Sequence, residues 1–240
     1  MTRYEEVYYL IASRIVQGTY PEGSILPSEA QMLDEFQVSR HTVRKALDML
    51  MENAYILKRQ GKGSLVLGRE RLIFPISGLT SYKELQEIQG FESATKVVSL
   101  ERKKINAEVA AYTGFNEGDT AWFVLRARLI DGEAVITDND VILTTFVPHL
   151  DTQIAENSIY AYLEDELGLE IAYANKEITV DSLNDDDHHY LNLRKFDNNI
   201  VSVKSKVYLG DASFFQYTES RHRVDKFRFV DFARRRKTLI

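Results

Sequence analysis

The stretch SEAQMLDEFQVSRHTVRKALDML, Ser28 to Leu50, limits what this chain can fold into more than any other. It holds two helix starts separated by a short turn. Ser28 followed three residues later by Gln31 is a capping box, which satisfies backbone N–H groups at a helix start. Leu33 and Phe36 are expected to face inward. Gln37 and Val38 turn the chain, and Ser39 caps a second helix that continues to about Asn53. Val43, Ala46, Leu47 and Leu50 form one apolar stripe of that helix. His41, Arg44 and Lys45 point the other way, and Arg40 stands in the first turn. By itself such a helix fits a solvated cationic face at least as well as a surface that reads DNA.

The flanking segments decide between the two. Val7, Leu10, Ile11 and Ile15 recur at spacings of three and four, which predicts a helix ending near Gln17 with Gly18 as its stop. TYPEGSILP is a loop by its proline and glycine content. After the capped pair, YILKR and SLVLG are strand-like runs joined by QGKG, a predicted hairpin with Lys58, Arg59 and Lys62 near its tip. Three helices and a basic hairpin make a winged helix-turn-helix. In that fold the N-terminal side chains of the last helix reach base edges, an arginine can bond guanine through two parallel hydrogen bonds, and hydroxyls with free helix-start amides suit phosphate oxygens.

Charge agrees with this placement. The formal net charge is −6, yet Val38 to Arg71 holds eight basic and three acidic residues. An acidic body with one basic end is compatible with binding a polyanion at that end. With no cysteine in the chain, disulfides and thiolate metal sites are excluded. No apolar run is long enough to span a bilayer and the N-terminus lacks a secretion signal, so a cytoplasmic protein without metal or cofactor is expected.

Beyond about residue 75 the pattern changes. Strands are predicted at Thr95–Lys104, Thr120–Asp131, Ala134–Val147, Ile171–Val180, Ile200–Leu209 and Ser213–Arg223. Asp131-Gly132 is a hairpin turn. Helical pieces are predicted at Asn106–Thr113, Ser158–Glu166 and Asn184–Leu193. Hairpins with interspersed helices give an α+β fold with a mainly antiparallel sheet. The expected domains are residues 1–67 and 76–240, joined by a linker over 68–75.

In the second part Arg126 and Arg128 stand two apart on a predicted strand and so project to one face. Neighbouring guanidiniums repel unless an anion lies between them, and a phosphate matches their forks. Thr80, Ser81, Ser158 and Tyr160 could add hydroxyl donors. The competing reading puts both arginines on a solvated face beside surface acids. NDDDHHY, Asn184 to Tyr190, has the residue types of a metal site, but a capped helix start with acids favouring its positive end accounts for it better. Ser220 and His222 lack the third group that a nucleophile–base pair requires.

The segment from Leu26 to Val66 resembles the DNA-binding domain of the GntR family of bacterial transcription regulators. Leu26-Pro27-Ser28-Glu29, Val38-Ser39-Arg40, Thr42-Val43-Arg44, Ala46-Leu47 and Gly61-Lys62-Gly63 carry the match. The resemblance implies contacts to double-stranded operator DNA from Ser39, Arg40, Thr42, Arg44 and a wing of Gln60, Gly61, Lys62 and Gly63. Ala30 departs from it, because many members carry a basic residue there. FPISGLTSYKELQEIQG, LRARLIDGE and NSIYAYLEDELGL resemble the UTRA effector domain of the HutC subfamily, which shares the chorismate lyase fold.

That resemblance implies a homodimeric repressor, not an enzyme, with an effector site for a sugar phosphate. Thr80, Ser81, Arg126, Arg128, Ser158 and Tyr160 would form its phosphate end, and Asp138, Gln216 and His222 its sugar end. FPISGLTSYKEL and RHRVDKFRFVDFARRRK resemble the trehalose-responsive branch, which implies trehalose 6-phosphate. An amino-sugar phosphate and, further off, an enzyme of chorismate-lyase-like fold stay as alternatives.

Overall fold

Helix α1 (Arg3–Val16) begins the chain and stops where expected, with Gln17 as its C-cap and Gly18 at φ +81°. The computed structural model describes residues 2–59, 63–67 and 79–229. These fall into two compact units. One takes the described part of Met1–Thr80 with Glu84–Phe91 and the first residues from Arg228. The other takes Ser81–Lys83 and Glu92–Phe227.

In the first unit α1 buries Val7, Tyr8, Ile11, Ala12 and Ile15, while Leu10 is largely exposed. Leu10 lies on the flank of the stripe, and Tyr8 and Ala12 complete it. Helix α2 (Glu29–Phe36) starts on the expected box: Ser28 Oγ accepts from Gln31 N at 3.3 Å, and Gln31 Oε1 accepts from Ser28 N at 2.8 Å. Its fully buried residue is Met32, with Leu33 and Phe36 half-buried. An eight-residue helix exposes too little periodicity to rank its apolar residues by sequence. Gln37, in the left-handed region at φ +51°, turns the chain into α3 (Arg40–Glu52). Ser39 Oγ accepts from Thr42 N at 3.2 Å, and Val43, Ala46, Leu47 and Leu50 are the buried stripe. Strands β1 (Ile56–Arg59) and β2 (Gly63–Val66) pair antiparallel as the wing. Gly63 has φ +86°, and a Cβ there would meet Ile25 Cγ2 at 2.9 Å, so both conformation and space demand glycine.

The second unit is a six-stranded, wholly antiparallel sheet: β3 (Ser93–Lys104), β4 (Thr120–Ile130), β5 (Glu133–Leu143), β6 (Ile171–Ser182), β7 (Asn199–Leu209) and β8 (Phe214–Arg223), in the order β3-β4-β5-β8-β7-β6. This is the expected α+β class. Asp131 and Gly132, at φ +53° and +83°, make the β4–β5 turn, a type I′ geometry that matches strand twist. β5 ends at Leu143 rather than Val147, because Phe146 N and Val147 N turn back to Leu143 O.

Helix α4 (Tyr82–Gln89) precedes the sheet and was not predicted; buried Gln89 interrupts its apolar stripe. α5 (Ala107–Thr113), capped by Asn106, lies over the cluster of Ile105, Phe115, Val141 and Tyr217. α6 (Thr152–Asn157), capped by Asp151, was also not predicted; with one buried residue it has no stripe to read. α7 (Ile159–Ala161) runs into a π-type turn over Tyr162–Glu166. α8 (Asp185–Tyr190) is shorter than expected.

Candidate functional site

Two sites were anticipated, one in each unit. In the first, α3 presents Ser39, Arg40, His41, Arg44 and Lys45 exposed, with Thr42 half-buried. Ser39 Oγ and Thr42 Oγ1 stand 2.8 Å apart, so each hydroxyl is oriented by the other at the helix start. Arg44 Nε donates to Glu29 Oε2 at 3.0 Å. The Lys45 ammonium sits 3.6 Å from the centre of the Tyr4 ring, a cation–π contact that ties it to α1. Lys58 pairs with Asp48 at 2.7 Å. Gln60, Gly61 and Lys62, the predicted tip of the wing, lie outside the described residues, as do residues 68–75 and the ARRRK tail.

In the second unit the alternating charges of LRAR on β4 and TDND on β5 project to one face of the sheet. Register places Arg126 opposite Asp138, Asp138 opposite Ser220, and Arg128 opposite Thr95. The arginines are not on a solvated face: Arg126 is 7% and Arg128 4% exposed. Their anions come from the chain itself. Arg126 Nη2 lies 2.7 Å from Asp140 Oδ2 and 3.9 Å from Asp138 Oδ2, and Arg128 Nε lies 2.7 Å from Asp138 Oδ2.

Neighbouring groups complete the cluster. Arg126 Nη1 donates to Ala155 O of α6 at 3.3 Å, Arg128 Nη1 donates to Thr95 Oγ1, and the Tyr82 ring lies 4.4 Å from the Arg128 guanidinium. Ser220 Oγ donates to Asp138 Oδ1 at 2.6 Å, and Gln216 Nε2 donates to Asp140 Oδ1 at 2.8 Å. Among the described residues, Arg126 Nε and Gln216 Oε1 are buried without a hydrogen-bond partner. One donor and one acceptor are thus left for a polar ligand, since unmade buried hydrogen bonds are costly.

Of the predicted effector residues, Arg126, Arg128, Asp138, Gln216 and His222 share this face. Ser158 is buried and caps α7, its Oγ accepting from Ala161 N at 3.2 Å, which leaves its own proton to donate. Tyr160 lies close enough to bear on the charge of Arg126. Thr80 and Ser81 are half-buried and stand immediately before Tyr82 in the chain. Asp140, Thr95, Tyr82 and Ser220 were missed as members of the site. The two-residue spacing of Asp138 and Asp140, mirroring that of the arginines, was the available signal.

Elsewhere, a cleft of about 320 Å³ lined in part by Tyr112, Lys204, Lys206 and Tyr217 lies on the opposite face of the sheet, away from this cluster. The NDDDHHY segment is the capped helix start: Asn184 Oδ1 accepts from Asp187 N at 2.9 Å, and Arg221 clamps Asp187. No group of three or more potential ligand side chains among the described residues could hold a metal. No helix among them is long and apolar enough to cross a membrane.

The electrostatics of the cluster carry a pH signature. Burial pushes His222 down to about 4, against the pull of Asp138. Burial would raise the Asp138 carboxyl, but Arg128 and Arg126 outweigh it and hold it at about 2. His222 is therefore neutral when folded, while in the unfolded chain it takes a proton near 6.5. Stability is full above pH 6.5 and falls as pH drops from about 6.5 to about 4. Asp138 contributes fully above 3.8, and that contribution is lost as pH falls toward about 2. Chemical denaturation against pH should lose at most about 3 kcal/mol through His222 in the upper window. His222→Gln should remove that step and keep the lower one; identical profiles for the two proteins would refute the assignment.

Comparison with known proteins matches both units. A model described as bacterial regulatory proteins, gntR family, matches residues 3–66, and one described as UTRA domain matches residues 88–228. The HTH-type transcriptional regulator TreR of Bacillus subtilis (strain 168) is 48% identical over 99% of this chain and 99% of its own. The solved effector-binding domain of the B. subtilis trehalose repressor is 49% identical, with a TM-score of 0.55, over 60% of this chain and 99% of that one. The structure of the possible transcriptional regulator YydK of B. subtilis is 24% identical, with a TM-score of 0.75, over 98% of this chain and all of that one, and shows the likeness of fold.

Proposed function

The chain belongs to the gntR family of bacterial regulatory proteins, and from that premise we propose that it is a repressor released from its operator by a sugar phosphate, trehalose 6-phosphate. A transcriptional regulator of this family binds operator DNA with its first domain and a small-molecule effector in its UTRA domain. The observation that carries the effector reading is the buried cluster of Arg126, Arg128, Asp138 and Asp140 with a donor and an acceptor left over. Identity with a regulator named for trehalose supports the particular sugar.

In this reading Arg126, Arg128, Thr80, Ser81, Ser158 and Tyr160 hold the phosphate, while Asp138, Asp140, Gln216 and His222 meet sugar hydroxyls. The charges favour a neutral sugar. Each aspartate is already matched by an arginine, and Gln216 and the neutral His222 add no negative charge for an ammonium group. Ser39, Arg40, Thr42, Arg44 and the wing from Gln60 to Gly63 contact DNA. Residues 1–67 are the DNA-binding domain and 76–240 the effector domain, with 68–75 between. A homodimer presents two recognition helices to a palindromic site. The effector releases DNA only to the extent that it binds the DNA-free arrangement more tightly.

Thermal melting tests the effector assignment. A ligand at about a hundred times its Kd adds about 2.7 kcal/mol to stability. Trehalose 6-phosphate should raise the melting temperature by several degrees, and trehalose and glucose 6-phosphate by less. A larger rise with glucosamine 6-phosphate would favour an amino-sugar phosphate and refute this reading.

A further inference from the structure

We propose that Glu29 is a positioning residue for DNA reading: it holds the Arg44 guanidinium so that its two terminal nitrogens face a guanine. This rests on the reading of α3 as the recognition helix. Glu29 is the first residue of α2, and its carboxylate meets Arg44 one helix later in the chain, Nε to Oε2 at 3.0 Å. Both helices are fixed beneath the pair, since Met32 of α2 and Val43 and Leu47 of α3 belong to one buried cluster. The carboxylate position is thus set by the fold rather than by the side chain alone.

The pair is exposed, at 58% for Arg44 and 36% for Glu29, so it contributes little to folding. Its stereochemistry matters more. Among the described residues the contact to Glu29 uses Nε, and no hydrogen bond engages Nη1 or Nη2 of Arg44. Those two nitrogens form the fork that matches guanine O6 and N7. Holding Nε also removes much of the side-chain freedom that would otherwise be lost on binding.

The other basic contacts differ. Lys58 faces Asp48 as a point charge without a fork, and Lys45 is spent on the Tyr4 ring. Ala30, beside Glu29, offers the carboxylate no competing cation.

A carboxylate beside DNA also repels phosphate. Removing it should therefore raise affinity for any duplex while lowering selectivity, two changes of opposite sign that a loss of structure does not produce.

The test uses the full-length chain and a duplex that the wild type selects from a random pool, against a scrambled duplex, at fixed salt. Glu29→Ala should lower the ratio of selected to scrambled affinity about tenfold or more, with scrambled affinity equal or higher. Glu29→Gln, whose carboxamide oxygen can still accept from Nε, should keep most of the ratio. On an Arg44→Ala background Glu29→Ala should change the ratio no further.

An unchanged ratio in Glu29→Ala, with Arg44→Ala impaired, overturns the positioning role and leaves the recognition helix standing. A loss of equal size on the Arg44→Ala background overturns it as well. If Arg44→Ala itself keeps the ratio, the assignment of Arg44 to base reading is what fails.

Discussion

Replacing Arg128 with alanine should cost the folded chain about 3–5 kcal/mol and abolish the response to effector. The stability loss arises because Asp138 would stay buried and charged, with Ser220 and a distant Arg126 as its remaining partners. For a chain of this size that is a drop in melting temperature on the order of 10 °C. A variant that unfolds says nothing about the effector, so the informative protein is Arg128→Met with Asp138→Asn. Removing both charges together leaves no uncompensated ion, and most of the stability should return. This paired variant should bind operator like the wild type and ignore trehalose 6-phosphate. Release at the wild-type effector concentration would place the phosphate elsewhere.

Replacing Arg44 with alanine should weaken operator binding by about 1–3 kcal/mol, roughly five- to more than a hundredfold. The loss should be concentrated at one base pair: duplexes altered there should bind wild type and variant alike. A contact to a phosphate would look different, with affinity falling uniformly across sequences and the salt slope shrinking by about one. Gel shifts over a set of single base-pair variants at several salt concentrations separate the two.

The DNA-binding unit was legible because its determinants are local. The Ser28–Gln31 box, the Ser39 cap and the stripe of Val43, Ala46, Leu47 and Leu50 each act within four residues, and each stands where its sequence placed it. In the short α2, Leu33 and Phe36 pack against the core as expected, and Met32, which the spacing did not single out, is the most deeply buried.

The proposed effector site was legible by halves. Alternation along β4 puts Arg126 and Arg128 on one face, but what lies opposite depends on register between β3, β4, β5 and β8, which no single segment encodes. Asp140, paired with Arg126 across two strands, and Thr95, paired with Arg128 from the third, belong to that non-local part. The same gap explains why Asp138 and Asp140 could not be read as ion-pair partners of the two arginines from spacing along β4 alone. Asn184 to Tyr190 is the reverse case: its acids look like ligands in sequence, and local capping accounts for them.

The most direct test of the proposed function is an operator gel shift at fixed salt, titrated in parallel with trehalose 6-phosphate, trehalose, glucose 6-phosphate and glucosamine 6-phosphate. Trehalose 6-phosphate should release the DNA at the lowest concentration, and the paired Arg128 and Asp138 variant should stay bound throughout. Release by glucosamine 6-phosphate at a lower concentration than by any neutral sugar phosphate, or no release by any of the four, would contradict the assignment of trehalose 6-phosphate as effector.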